Sequence, residues 1–285
     1  MRIVSLLPST TEILHAVGAG PDVVGVTFEC DFPAHAREVT IVSTSAMPEG
    51  LTPAQIDAFV VGAMQRGEDL YHLDEGALAG LDADLVVTQD LCAVCAVDVS
   101  VVEDALAHLG CRAQVLTIDP HTLQEVFESI TQLGAATGHA DEAAALVADQ
   151  RRRLAAVQHR VAEASSQRPR PKVMMLEWTD PPFAPGHWIP EMVEAAGGTP
   201  VLGRPGSTSV RVEWESIYAA APDVIIVAPC GFDRAQSEAI KAELIASGVL
   251  PVGIPVHAVD ANASWARPGT RLVDGIEELA DLLHP

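Results

Sequence analysis

The most reactive spacing in the chain is the pair Cys92 and Cys95 in the segment QDLCAVC, residues 89–95. Two cysteines three positions apart can turn both sulfurs to one side of a loop, where they suit a single metal ion or a dithiol redox pair. The sequence has no second Cys-x-x-Cys, and the third candidate ligand is Cys30, in FECDFP at 28–33. One reading is therefore a metal or metallocluster protein on Cys30, Cys92 and Cys95, with a fourth ligand from water, substrate or a histidine. The plainer reading is a set of small buried residues lining a cleft. Aromatic groups crowd the same kind of stretch. Phe28 and Phe32 flank Cys30 and Asp31, while Trp178, Phe183, His187 and Trp188 share the proline-rich EWTDPPFAPGHW, and Trp265 and Arg267 sit in ASWARP. Proline stiffens a loop and so lowers the ordering cost of holding something large and flat. His187 alone has many structural uses, and Trp214 or Trp265 could simply pack. Glu177, Asp180 and His187 could move protons, yet no nucleophile elbow, phosphate-binding glycine loop or HExxH accompanies them, which reads as a non-catalytic protein.

These loops follow short apolar runs that read as buried strands, and the runs repeat in two halves. The first half opens with a strand at 3–7, a loop with Pro8 and Ser9, a helix to Val17, a glycine stop and a strand at 23–26. The second half answers with a strand at 173–176, a proline-rich loop, a helix through Met192 and Ala195, Gly197-Gly198 and a strand at Val201 and Leu202. Ser9 with Glu12 fits a capping box, and its loop, at a strand's carboxyl end, could offer free N–H groups to a ligand. Thr52-Pro53 and Gly67 bracket a further helix. Joining the halves is HADEAAALVADQRRRLAAVQHRVAEA, 139–164, proline-free and with apolar Ala143, Leu146, Val147, Leu154, Val157, Val161 and Ala164 on one stripe. As a single helix it would run about 40 Å. The expected fold is α/β: two Rossmann-like lobes joined by one long helix, with an N-terminal lobe at 1–122, connecting helices at 123–168 and a C-terminal lobe at 169–285.

The chain has 285 residues, 48% hydrophobic, enough for two cores, and a formal net charge of −22 that excludes nucleic acid as a partner. The longest apolar runs are strand-length, and the five cysteines, Cys111 and Cys230 among them, form no secreted disulfide pattern. A cytoplasmic monomer is the expectation, with an extracytoplasmic one if a leader has been removed.

The motifs RIVSLLPSTTEIL, CDFP, VST, DLVVTQ, DPPF, AAGG, APDVIIV and WARPGTRL occur in this order over essentially the whole chain. Together they resemble the vitamin B12-binding proteins of ABC importers, in the helical-backbone class (class III) that also serves iron–siderophores, haem and metal ions. The resemblance implies a cobalamin or related corrinoid or metal chelate held between the lobes by strand-exit loops, and a permease partner. It places Asp31, Phe32, Phe183, Trp265 and Arg267 at or near the ligand. Together with the loop reading, the candidate ligand-binding set is Ser9, Phe28, Asp31, Phe32, Gln89, Trp178, Phe183, His187, Trp188, Trp265 and Arg267. Glu215 matches a glutamate that docks on the permease, while the matching first-lobe position falls near Ala54. Ser45 stands where the family carries an aromatic, and the 89–95 loop replaces a family tryptophan. The YHLDEGALAGL segment resembles a subgroup of cobalamin-binding proteins that often lack a leader.

Overall fold

The computed structural model describes residues 1–89, 99–109, 112–165 and 169–285. The chain packs as two units: unit 1 is Met1–Asp119 with Phe127–Val147, and unit 2 is Pro120–Val126 with Ala148–Pro285.

Unit 1 begins β1 (Ile3–Ser5), α1 (Pro8–Ala16), β2 (Val23–Val26), β3 (Thr40–Ile41), β4 (Ser43–Ser45), α2 (Pro53–Arg66) and β5 (Tyr71–Leu73). It continues with α3 (Glu75–Ala79), β6 (Leu85–Thr88), α4 (Val99–Leu109), β7 (Gln114–Thr117), most of α5 (Leu123–Thr137) and the start of α6 (Ala140–Ser165). Its main sheet has the order β3-β2-β1-β6-β7, and every pairing in it is parallel. The central strands IVS and LVVT are buried at every residue. That is why the sequence shows continuous apolar runs there, since helices cover both faces of a parallel sheet. β4 and β5 form a separate antiparallel pair.

α1 corrects the expected capping box. The helix starts at Pro8 with Leu7 as N-cap, so Ser9 lies inside the first turn and is buried. Proline suits that first position because it has no N–H to satisfy. The hydroxyls of Thr10 and Thr11 both donate to Leu7 O at 3.1 Å instead. α2 forms as its sequence predicts: Thr52 and Gln55 close a reciprocal capping box, Pro53 opens the helix, and Gly67 ends it at φ 66°, in the left-handed region. Of its residues, all described, Ala63 alone is buried, and Met64 is 60% exposed.

Unit 2 contains β8 (Lys172–Leu176), β9 (Trp178–Thr179), β10 (Pro182–Ala184), α7 (Ile189–Ala195), β11 (Thr199–Pro200), β12 (Val210–Arg211) and α8 (Trp214–Ala220). After these come β13 (Val224–Val227), α9 (Arg234–Ser247), β14 (Val256–Ala258), α10 (Ala261–Ser264) and α11 (Leu272–Leu283). A parallel sheet runs β11-β8-β13-β14, and an antiparallel sheet runs β12-β10-β9. The strand expected at Val201 and Leu202 lies earlier, at Thr199–Pro200, because the ladder with β8 pairs Thr199 with Lys172 and Pro200 with Val173.

α6 is one unbroken helix of 26 residues, about 39 Å at 1.5 Å per residue. Of the expected stripe Ala143, Val147, Val157 and Val161 are buried, joined by Gln150, while Leu146 and Leu154 are half-buried and Ala164 is exposed. In unit 1 its start packs on α5, where a Cβ at Gly134 would run into the Ala143 side chain and the His139 carbonyl. In unit 2, Arg153 bonds to Glu277 at 2.6 and 3.0 Å and to Asp274 at 2.5 Å, and Arg160 pairs with Asp281 at 2.8 Å. Part exposure keeps such pairs modest, but together they fix the helix's rotation against α11. The apolar approach at Gly134 is the more sensitive contact. Gly134→Val is expected to destabilise unit 1 by about 1–3 kcal/mol, through overpacking, in urea unfolding followed by circular dichroism. An unchanged midpoint would show that α5 and α6 can part at no cost.

Candidate functional site

A parallel sheet delivers the carboxyl ends of its strands to one edge, and the loops leaving that edge are where side chains can meet a ligand. In unit 1 the loop after β2 turns back so that Phe28 stacks on Tyr71 of β5, ring centres 5.6 Å apart and planes 27° from parallel. The Tyr71 hydroxyl donates to Glu29 Oε1 at 3.1 Å. Phe32 is 45% exposed, whereas Asp31 is half-buried. Ser9 and Gln89 are buried. The sequence reading missed Tyr71, although one of only two tyrosines in the chain was a signal available to it.

Cys30 does not line a surface. Its thiol is fully buried, hydrogen-bonded with Thr11 Oγ1 at 3.0 Å, and Thr11 Oγ1 in turn donates to Ser5 Oγ at 2.8 Å, which shares a bond of 2.7 Å with Thr10 Oγ1. A thiol so enclosed has no open side on which to meet a metal ion. Cys92 and Cys95 lie outside the described residues. Among the described residues no group of three or more His, Cys, Asp or Glu side chains is placed to hold a metal ion. The metal reading of the cysteines is not favoured.

In unit 2 the expected residues fall into two sets. Trp188 and Trp265 are core: Trp265 has no accessible surface, Trp188 is 5% exposed, and the Trp188 indole N–H donates to Trp265 O at 2.8 Å. Trp265 abuts α11 where a Cβ at Gly275 would press on its ring. Their rings present nothing to a ligand in this conformation and instead lock the 265–275 segment onto α7. The outward set is Trp178, Phe183 and Phe232, all half-buried, the last missed by the sequence reading. Trp178 and Phe232 lie 5.7 Å apart at 60°. The exposed guanidinium of Arg211 stands 5.9 Å over the Phe183 ring. His187, at φ 50°, holds the loop through its backbone, its N–H donating to Ser207 O at 2.6 Å and its carbonyl accepting from Gly206 N–H at 3.0 Å. Its ring lies 5.7 Å from that of His121. Arg267 is half-buried, and Glu215 is exposed in the first turn of α8, where a carboxylate complements the helix dipole.

Under this surface lies Glu177, whose Oε2 accepts from Ser209 Oγ at 2.6 Å and Gly186 N–H at 3.4 Å. Desolvation raises its pKa to about 7, against the lowering effect of those two donors. The carboxyl therefore ties the end of β8 to two loops. A separate groove of 420 Å³ is lined by Leu123, Gln158, Val161, Arg170, Glu191, Glu194 and Ala195. No strand-exit residue contributes to it. Glu191 there accepts from the Leu123 N–H at 2.7 Å, which makes it a helix-anchoring recess.

A profile described as periplasmic binding protein matches residues 3–250. The chain belongs to the periplasmic binding protein family. It is 26% identical, over its full length and 80% of the relative's, to an uncharacterised ABC transporter substrate-binding lipoprotein of Bacillus subtilis. It is 25% identical to a cobalamin-binding protein of Halobacterium salinarum, over 99% of this chain and 69% of that one. Two structures from Vibrio cholerae share the fold. The periplasmic vitamin B12-binding protein has a TM-score of 0.67, 20% identity and coverage of 99% and 96% of the two chains. The periplasmic haem-binding protein has a TM-score of 0.71, 20% identity and coverage of 100% and 99%.

These relatives overturn the cytoplasmic expectation, since they are periplasmic proteins and a lipoprotein, all extracytoplasmic. The cysteine pattern does not report the compartment: of the described free cysteines Cys30 is buried and Cys230 exposed, and neither placement requires a reducing environment. Within this periplasmic binding protein, Glu177 generates a pH dependence of stability. Below its ordinary value of 4.5 the carboxyl is neutral in folded and unfolded chains alike, and the fold keeps its full contribution. As pH rises towards 7 the unfolded chain ionises first, so stability falls by up to about 3 kcal/mol and then levels off. Glu177→Gln keeps an acceptor for Ser209 and removes the titration. Urea unfolding across that window should show wild type declining relative to the variant, and parallel profiles would mean the carboxyl is not desolvated.

Proposed function

We propose that this protein is an extracytoplasmic, non-catalytic receptor that binds a corrinoid of the cobalamin type and hands it to an ABC importer. The observation that carries the reading is the half-exposed aromatic row of unit 2, Trp178, Phe183 and Phe232, set on short paired strands and strand-exit loops. Flat apolar groups held rigidly are costly to leave wet, and they recover that cost by covering a large apolar ligand. The cobalamin-binding relative supports the corrinoid over haem, since its likeness is one of sequence over nearly the whole chain.

Trp178, Phe183, Phe28, Asp31, Phe32 and Arg267 are the residues proposed to meet the ligand, with the buried Gln89 behind them. Ser9, His187, Trp188 and Trp265 hold the loops that carry them. Glu215, on the surface of α8, is proposed to dock on the permease, where an exposed carboxylate meets a basic partner. The absence of a nucleophile motif from the sequence agrees with a protein that binds and releases its ligand unchanged.

Isothermal titration with cyanocobalamin is expected to give a one-to-one complex at micromolar or tighter affinity. Phe183→Ala should weaken it by about tenfold, because stacking and apolar cover are lost together. No heat and no retention of cobalamin at tens of micromolar protein would overturn the assignment.

A further inference from the structure

In unit 1 the antiparallel pair of β4 and β5 stands apart from the main sheet, and its inward face is spent on one loop. The register sets Ser43 opposite Leu73 and Ser45 opposite Tyr71. Side chains alternate along a strand, so these four share one face, while Thr44 and His72 are exposed on the other. On the shared face Ser43 is buried, Leu73 and Tyr71 are half-buried, and Ser45 lies at the exposed end. Leu73 and Tyr71 both pack against the core cluster that contains Val4, Leu6, Val42 and Val86.

The loop leaving β2 meets that face residue by residue. Thr27 and Ser43 share a hydroxyl hydrogen bond of 2.7 Å. Phe28 stacks on the Tyr71 ring, and Glu29 accepts from the Tyr71 hydroxyl. One tyrosine thus grips two consecutive residues, the first by its ring face and the second by its polar tip. Because Tyr71 also packs on the core, the loop is held against the sheet and not merely against another loop. Beyond Glu29 the chain turns, the Cys30 N–H donating to Thr27 O at 3.1 Å, and runs on to Asp31 and the exposed Phe32. A loop fixed in this way has given up its freedom before a ligand arrives, which leaves less entropy to lose on binding.

We propose that Tyr71 is a positioning residue for ligand binding, holding Phe28 by stacking so that the loop after β2 meets the ligand already formed. This rests on the reading of Phe28, Asp31 and Phe32 as residues that meet a corrinoid. It gives the ribbon of β4 and β5 a part in recognition through Phe28, without contact between the ribbon and the ligand.

The test is a double-mutant cycle on cyanocobalamin affinity, by isothermal titration of wild type, Tyr71→Leu, Phe28→Leu and the double variant, beside Tyr71→Phe. Leucine keeps an apolar contact with the core, and every variant is expected to keep the wild-type circular dichroism spectrum. Tyr71→Leu should weaken binding by about fivefold to tenfold, the size of an aromatic pair, and Phe28→Leu at least as much. Tyr71→Phe keeps the ring and should stay within about threefold of wild type, the loss of one weak hydrogen bond. In the Phe28→Leu background Tyr71→Leu should cost less than about twofold, since a residue that acts through Phe28 then has nothing to hold. Equal weakening in both backgrounds overturns the proposal, because independent sites add. Wild-type affinity in Tyr71→Leu also overturns it, as does a Tyr71→Phe variant as weak as Tyr71→Leu. If wild type binds no cyanocobalamin, the corrinoid reading falls, and the hold itself is read in the ligand-free protein by hydrogen exchange. Tyr71→Leu should then speed exchange of the Cys30 amide by about fivefold or more, and an unchanged rate overturns the hold.

Discussion

Strands buried on both faces can carry no chemistry along their length. In β6, β8 and β13 nearly every residue is enclosed, and a polar group placed there would lose its water without gaining a partner. Everything that can recognise a ligand is therefore pushed to the strand ends. The fold responds by making those ends unusual: Phe28 and Glu29 follow β2, Glu177 and Trp178 follow β8, and Cys230 and Phe232 follow β13. The apolar strands and the chemically dense loops are two sides of one constraint.

Loops of that kind need fixing, and unit 2 shows how it is done. Glu177 stands at the point where the parallel sheet gives way to the antiparallel one, and its carboxyl gathers Ser209, just before β12, and Gly186, just after β10. Desolvation raises its pKa to about 7, and the carboxyl accepts a hydrogen bond from each of the two loops. Trp188 and Trp265 act on the far side of the same loops through their packing and the bond from indole to carbonyl. The outward rings are presented by a scaffold tightened from beneath.

Much of the architecture was legible because it rests on local rules. α6 declares itself by the absence of proline and by its apolar stripe, and α2 by Thr52, Pro53, Gln55 and Gly67. Ser9 misled because the run Ser9-Thr10-Thr11-Glu12 imitates a capping box, while Pro8 had already started the helix. The indoles misled for a different reason: composition places tryptophans in a loop but does not say which way they face. Trp178 turns outward and Trp188 inward within one proline-rich stretch. The pairing of Arg211 with Phe183 was invisible to local reasoning, since the two strand partners lie 28 positions apart and no periodicity reports it.

The division between what local rules reveal and what they hide follows the division between fold and specificity. Family membership is spread over residues 3–250, in positions that build sheets and cover them, and many substitutions leave that pattern intact. Structures named for vitamin B12 binding and for haem binding each share this chain's fold at 20% identity to it. An aromatic row is permissive by nature, because any broad apolar face covers it comparably well. A charge at the end of the row is not permissive, since an anion must be at the right distance or the cation loses hydration for nothing. The discriminating power of such a surface is therefore concentrated where polar chemistry interrupts the apolar cover.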